Sequence, residues 1–131
     1  MNSGSGCEKP MKQCLIIDDS NSIRKVAKRI LKDFGYDSTE AANGEEALKL
    51  CAESMPDSII VDWAMPDVDS TRLMSDIRKL DGGDKPTIIY CTLENDPMKM
   101  AAAMRHGANG QLMKPFDRDA LTRSLTSVGL I

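Results

Sequence analysis

Four charged residues occupy positions where predicted buried strands of this chain end. Asp18 and Asp19 follow the apolar run CLII, Asp62 follows SIIV, and Lys114 follows QLM. In an open parallel α/β sheet, the carboxyl ends of the strands form the crevice in which ligands bind. The spacing therefore predicts a polar site that holds three carboxylates and one ammonium group.

Such a site needs a cation among its carboxylates. Carboxylates at close range raise one another's pKa or force one of them to take up a proton. A hard divalent ion with oxygen ligands removes this conflict, so we expect Mg²⁺, with Mn²⁺ as its substitute. The sequence thus predicts a divalent metal site at one edge of a sheet.

The elements that would position these residues alternate between strand and helix. Short apolar runs with β-branched residues, and one more polar run, predict five strands over residues 14–17, 37–42, 58–61, 87–91 and 111–113. Helical periodicity, caps and breakers predict five helices over residues 23–34, 44–55, 71–80, 97–106 and 118–128. Because parallel strands need crossover connections, this alternation predicts an α/β fold in which helices cover both faces of a parallel sheet.

Length and composition limit the kind of protein. The 131 residues suit one domain, and 17 basic against 20 acidic side chains give a net charge of -3. No basic run stands out, which argues against nucleic acid as the main partner. No apolar run is long enough to span or insert into a membrane, and the first residues lack a signal peptide, so we expect a cytoplasmic protein.

The two ends of the chain differ in composition. Residues 1–12 are rich in Ser, Gly and Lys and predict a flexible lead-in or a tag remnant, and residues 13–131 are expected to form the single domain. The four cysteines are scattered without a C-x-x-C pair. We expect reduced thiols at Cys7, Cys14, Cys51 and Cys91, three of them packed as small apolar side chains.

Four motifs at strand ends carry a resemblance to a known family. In their order and spacing, IIDDS, IVDWAMPDVD, YCTLEN and LMKPF closely resemble the receiver domain of two-component response regulators, and within it the stand-alone CheY type. The resemblance covers residues 13–128. It implies a doubly wound, flavodoxin-like sheet with strand order 2-1-3-4-5 and five helices, in a bacterial signalling protein.

The resemblance also implies the chemistry of the acidic residues. Asp62 is expected to take a phosphoryl group from a phosphohistidine donor and to form an acyl phosphate. Asp18, Asp19 and Asp62 are expected to hold Mg²⁺, together with the backbone carbonyl of Ala64. Such a protein is a phosphoacceptor rather than an enzyme, although it phosphorylates itself from small donors and dephosphorylates itself.

Two further residues are expected to bind the phosphoryl group. The resemblance implies that Thr92 donates its hydroxyl to one phosphoryl oxygen and that Lys114 pairs with another. It also implies a cis peptide bond before Pro115, an isomer that only an X-Pro bond adopts at modest cost. That bond would direct the lysine into the site.

The chain departs from the family pattern at positions that concern timing and readout. Leu93 stands after Thr92, where relatives have a small residue, and we expect it to slow the loss of the phosphoryl group. Gln111 stands where relatives have an aromatic switch residue. This replacement indicates weaker coupling, a hydrogen-bonding role for Gln111, or a route through Tyr90.

Two departures lie close to the acceptor itself. Ala64 stands two residues past Asp62, where a polar side chain is frequent, and Ser70 replaces a common glycine. Only the carbonyl of Ala64 is needed for the metal, so we expect metal binding to survive both changes.

The implied partners are proteins. A sensor histidine kinase or a histidine phosphotransfer protein would donate the phosphoryl group, and a flagellar motor switch or another kinase would be the target, with chemotaxis as the process. The docking face would lie on the fourth helix, last strand and last helix, where it includes Lys99, Arg105, Gln111 and Phe116. We expect a monomer.

Other classes of function predict different behaviour. A degenerate receiver would act as an adaptor without accepting phosphate. A phosphatase with an aspartyl-phosphate intermediate would have a second acid where Ala64 stands. A flavodoxin-like flavin binder would have a phosphate-binding loop in place of the acidic DDSNS that follows the first strand.

Overall fold

The computed structural model describes residues 12–66, 69–93 and 95–131. Cys7 and all but the last residue of the predicted lead-in lie outside these ranges. Lys12 is already part of the first strand, one residue before the predicted domain boundary. Within the described ranges, no helix has the length and apolar character that crossing a membrane requires.

The predicted alternation of strands and helices is confirmed. The strands are β1 (Lys12–Ile17), β2 (Tyr36–Ala41), β3 (Ser58–Asp62), β4 (Thr87–Thr92) and β5 (Gly110–Met113). The helices are α1 (Asn21–Asp33), α2 (Gly44–Glu53), α3 (Ser70–Lys79), α4 (Pro97–Arg105) and α5 (Arg118–Ser127). All strand pairs are parallel and the sheet order is β2-β1-β3-β4-β5, which is the predicted order 2-1-3-4-5.

Two hydrophobic layers hold the helices on the two faces of the sheet. Along β4, Ile88 and Tyr90 belong to one layer, while Ile89 and Cys91 belong to the other, as the period of two in a strand requires. The first layer also includes apolar side chains of α2, α3 and α4. The second includes those of α1 and α5. The sheet is therefore buried on both faces and leaves its carboxyl edge for polar residues.

Each helix begins at a polar cap. The side chains of five residues accept a backbone N–H of the first turn, and they are Ser20, Asn43, Asp69, Asp96 and Asp117. A cap of this kind stabilises a helix by about 1 kcal/mol. The caps start α1 and α3 one or two residues earlier than apolar periodicity predicted, because capping side chains precede the first buried residue.

The strand ends differ from the prediction in a way that matters for the site. The runs of apolar residues predicted that β3 ends at residue 61 and β4 at residue 91. The structure extends these strands to Asp62 and Thr92. Both polar residues keep the backbone pairing of the sheet, so their side chains have the fixed direction that a strand imposes.

The three described cysteines are buried free thiols, as predicted. Burial raises the pKa of Cys14 to about 12 and that of Cys51 to about 11. These thiols stay protonated at neutral pH and act as small apolar side chains.

Candidate functional site

The structure brings the three predicted carboxylates together at the carboxyl edge of the sheet. Asp18 directly follows β1, and Asp62 ends the neighbouring strand β3. Both are buried, with 2% and 5% of their surface exposed, whereas Asp19 is exposed. One carboxylate oxygen from each of the three lies within 4.8 Å of the others. The cluster therefore has two enclosed oxygen ligands and one ligand that faces solvent.

Lys114, which directly follows the edge strand β5, reaches the same cluster. Its Nζ lies 2.6 Å from Oδ2 of Asp18 and 3.0 Å from Oδ1 of Asp62. The Lys114–Pro115 peptide bond is cis, as predicted, and the Lys114 backbone N–H donates to the carbonyl of Thr92 at 2.8 Å. One ammonium thus bridges the two buried carboxylates.

Burial and neighbouring charges shift the pKa values of Asp18 and Lys114. Burial raises the pKa of Asp18 above its ordinary value, and it outweighs the hydrogen bonds from Lys114 and the Ser20 N–H that act the other way. Burial alone would lower the pKa of Lys114, but the two bound carboxylates reverse this and raise it. The raised pKa of Lys114 shows that the carboxylates of the cluster favour a positive charge among them.

Arg24 supports the site without having been predicted to do so. Its Nη1 donates to the Asp18 backbone carbonyl at 2.6 Å, and its Nε pairs with Glu40 at 3.0 Å. The Ser20 backbone N–H donates to Oδ1 of Asp18 at 2.9 Å. Arg24 therefore fixes the turn between β1 and α1. A helical arginine one turn past a cap has no distinctive sequence signal, so only the tertiary contact reveals this role.

Ser70 is a second supporting residue. Its hydroxyl donates to the Asp62 carbonyl at 2.7 Å and lies 3.1 Å from the Trp63 carbonyl. The side chain of Asp62 is held separately, because its Oδ1 accepts the Ala64 N–H at 3.3 Å. Ser70 thus ties the start of α3 to the end of β3.

The residues near Thr92 form the rim of the site. Thr92 is buried at the end of β4, next to the strand that carries Asp62. Leu93 has 68% of its surface exposed. Its side chain therefore lies largely in solvent and is not packed into the core.

The predicted docking residues lie on α4, on β5 and in the loop between β5 and α5. Arg105 is exposed, and Lys99, Gln111 and Phe116 are each partly exposed. Four methionines on α4 and β5 are also exposed: Met98, Met100, Met104 and Met113. Exposed methionines are unusual and adapt well to varied partners.

The donor set fits a hard divalent ion. Asp18, Asp19 and Asp62 offer carboxylate oxygens within one ion's reach, and their combined charge exceeds that of Lys114. The backbone position of Ala64 lies beside Asp62, to which its N–H donates. The cluster therefore has the ligand type and the negative charge that Mg²⁺ requires.

Comparisons with known proteins agree with this geometry. The sequence profile described as response regulator receiver domain matches residues 14–126. The chain belongs to this family, whose members are phosphoacceptors of two-component signalling.

Within the family, the chain is of the CheY-like type. It is 34% identical over 117 residues to the chemotaxis protein CheY of Halobacterium salinarum, covering 89% of this chain and 96% of the relative. The CheY of Thermotoga maritima is 31% identical over 118 residues, covering 89% and 97%. The solved structure of CheY4 from Vibrio cholerae superposes with a TM-score of 0.85 at 34% identity, covering 90% and 98%.

Proposed function

We propose that this protein accepts a phosphoryl group on Asp62 from a sensor histidine kinase or a histidine phosphotransfer protein. The supporting observation is the pair of buried carboxylates, Asp18 and Asp62, bridged by the ammonium of Lys114. Phosphoryl transfer asks the protein mainly for positioning and charge neutralisation. This constellation supplies both at the end of a rigid strand.

Asp62 is the nucleophile in this proposal. One of its carboxylate oxygens forms a bond to phosphorus while the bond between phosphorus and the donor imidazole breaks, which yields an acyl phosphate. The hydrogen bonds from Lys114 and from the Ala64 N–H support this role, because both hold Oδ1 and orient the carboxylate.

The metal in this proposal is Mg²⁺, or Mn²⁺ in its place. Asp18, Asp19 and Asp62 hold it together with the Ala64 carbonyl. When bound, the ion neutralises charge on the phosphoryl oxygens. Asp19, which faces solvent, is the ligand best placed to act through water.

Lys114 and Thr92 bind the arriving phosphoryl oxygens. An ammonium has three donors, so Lys114 can keep its short contact with Asp18 while exchanging Asp62 for a phosphoryl oxygen. The hydroxyl of Thr92 serves a second oxygen. The same site accepts small donors such as acetyl phosphate and loses its phosphoryl group by hydrolysis, and Leu93 at the entrance slows that loss.

In this proposal, the phosphorylated protein signals by binding a partner protein. A phosphorylated receiver favours one of two conformers that already exist, and the partner binds that conformer. We place the docking face on α4, β5 and α5, with Lys99, Arg105, Gln111 and Phe116, and the target in a flagellar motor switch or another kinase. The names of the CheY relatives support a role in chemotaxis. We propose a monomeric receiver domain over residues 13–131, in the cytoplasm.

The single tryptophan offers a direct test. Trp63 adjoins Asp62, so we expect its fluorescence to change when Mg²⁺ is added and again when beryllofluoride or acetyl phosphate follows. The Asp62→Asn variant should lose the second change. A wild-type protein that responds to neither addition, or a variant that responds as the wild type does, would instead indicate an adaptor that never accepts phosphate.

A further inference from the structure

A hydrogen-bonded chain of side chains connects the core to the predicted docking face. Tyr90 on β4 and Gln111 on β5 are directly paired residues of neighbouring strands. The Tyr90 hydroxyl donates to Oε1 of Gln111 at 2.9 Å, and Nε2 of Gln111 lies 3.3 Å from the sulfur of Met113. Because residues two apart in a strand share a face, all three side chains lie on the same side of the sheet.

The inner end of this chain lies next to the acceptor site. The Tyr90 ring packs against the ring of Trp63, with centroids 5.4 Å apart and planes tilted by 57°. Trp63 directly follows Asp62, and its backbone N–H donates to the carbonyl of Cys91 at 2.8 Å. A change in the backbone after Asp62 therefore reaches the Tyr90 ring through direct contact.

The hydrogen bonding of Tyr90 makes Gln111 sensitive to the ring's position. Tyr90 is almost fully buried, and burial raises the pKa of its phenol, so the hydroxyl stays a donor at neutral pH. A buried tyrosine hydroxyl needs an acceptor. Gln111 supplies it, and this assigns the amide oxygen inward and the amide nitrogen outward.

The contact between Gln111 and Met113, at the outer end of this row of side chains, is weak. A thioether sulfur is a poor acceptor, so little free energy keeps the Gln111 amide nitrogen on Met113. Met113 has 39% of its surface exposed and lines a surface groove with Phe116, Ala120 and Arg123. A partner can therefore read both the amide donor and the position of the methionine.

We propose that Tyr90, Gln111 and Met113 form the switch that reports the state of the Asp62 site to the docking face. Gln111 is a positioning residue that acts through Tyr90. When the Tyr90 ring moves, the amide of Gln111 loses its inward acceptor contact, turns, and changes the surface around Met113. This inference rests on the proposed phosphoacceptor function and gives that function an output that needs no aromatic residue on β5.

The test uses the full chain, with beryllofluoride and Mg²⁺ as the probe of the activated state. Two signals are followed together, the Trp63 fluorescence for occupancy of the site and the NMR shift of the Met113 methyl group for the output. The methyl of Met55, which precedes β3 at the opposite end of the sheet, serves as the internal reference. The variants are Tyr90→Phe and Gln111→Leu, each of which removes one end of the inner hydrogen bond.

Tyr36→Phe is the matched control. Tyr36 is also a buried tyrosine, and its hydroxyl donates to the Leu130 carbonyl at 2.9 Å in the other hydrophobic layer. It should leave the Met113 response unchanged. Tyr90→Phe also keeps its aromatic ring, so a loss of signal there does not depend on Gln111→Leu folding well.

We expect the activation shift of Met113 to fall about twofold or more in Tyr90→Phe and in Gln111→Leu, with no further fall when the two are combined. The beryllofluoride titration of Trp63 should keep its midpoint within about threefold. An undiminished Met113 shift in both variants, or a silent Met113 in a wild type whose Trp63 responds, overturns the switch and leaves the acceptor site standing. A wild type whose Trp63 does not respond overturns the proposed function and the switch together.

Discussion

Two aspartates lie at the two ends of strand β3, and their surroundings in the sheet differ. Asp57 stands just before the strand, at the amino edge of the sheet, and is exposed. Its Oδ2 accepts the Gln13 N–H at 2.7 Å, and its backbone bonds with both neighbouring strands. Asp62 ends the strand at the carboxyl edge, where it is buried among other charged side chains.

The difference shows that the direction of a strand determines which groups surround a carboxylate at each of its ends. At the amino edge, the carboxylate of Asp57 accepts one backbone N–H, that of Gln13, and faces solvent. At the carboxyl edge, three acids meet and one lysine cannot neutralise them all. The contacts of Asp57 join neighbouring strands. The acid cluster at the carboxyl edge retains excess negative charge, which favours binding of another cation. Four variants test this contrast.

The largest effect is expected from Asp62→Asn. The amide keeps the shape of the side chain but is no longer a carboxylate nucleophile, so incorporation of phosphate from acetyl phosphate should fall below detection. Mass spectrometry of the intact protein measures it. A variant that still gains the mass of one phosphoryl group would show that the acceptor lies elsewhere.

Lys114→Met should weaken the fold most. The change leaves the buried carboxylate of Asp18 without its bridging cation, and breaking such a pair costs roughly 3 kcal/mol. Urea denaturation without divalent ions measures the free energy of unfolding. Saturating Mg²⁺ should recover a larger share of stability in this variant than in the wild type, since the ion supplies the missing charge. Equal Mg²⁺ effects would contradict the charge argument.

Asp57→Ala should affect stability and leave chemistry intact. The lost hydrogen bond to Gln13 is worth about 1 kcal/mol, since the site is exposed and water replaces part of the contact. Phosphate incorporation at saturating acetyl phosphate should match that of the wild type. If phosphorylation dropped as it does in Asp62→Asn, the functional contrast between the two edges would be wrong.

Leu93→Ala should have the smallest effect, and on rate alone. Removing an exposed side chain at the entrance should open the path of water to the acyl phosphate and speed its decay by about threefold. The loss of the phosphoryl group is timed after the small donor is removed. Met98→Ala, which truncates another exposed apolar residue, is the control. Unchanged decay in Leu93→Ala would show that the rim leucine does not control access.

Much of the charged carboxyl edge of the sheet could be predicted because its signals are local. Asp18 and Asp62 follow runs of apolar residues that form buried strands, and parallel strands carry such residues to a common edge. Lys114 follows the same rule, and the proline after it permits the cis bond seen in the structure at modest cost. Conversely, nothing near Arg24 or Ser70 in the sequence marks them as supports. Their partners lie in strands and turns that only the folded chain brings close.

The readout shows the same division. The resemblance to receiver domains implied that Gln111 replaces an aromatic residue, and it left open weaker coupling, a hydrogen-bonding role for Gln111, or a route through Tyr90. In the structure, register pairs Gln111 with Tyr90 and packing sets the Tyr90 ring against Trp63, and these contacts support the route through Tyr90 that we propose.

The sequence by itself thus determined the order of strands and helices, the charges at the strand ends and the family, since periodicity and strand ends are properties of neighbouring residues. Only the tertiary structure decided which charges pair, which acid is exposed and which side chains contact one another between strands β4 and β5. These depend on distances between residues far apart in the chain, such as the 2.6 Å between Lys114 and Asp18, and packing alone fixes them.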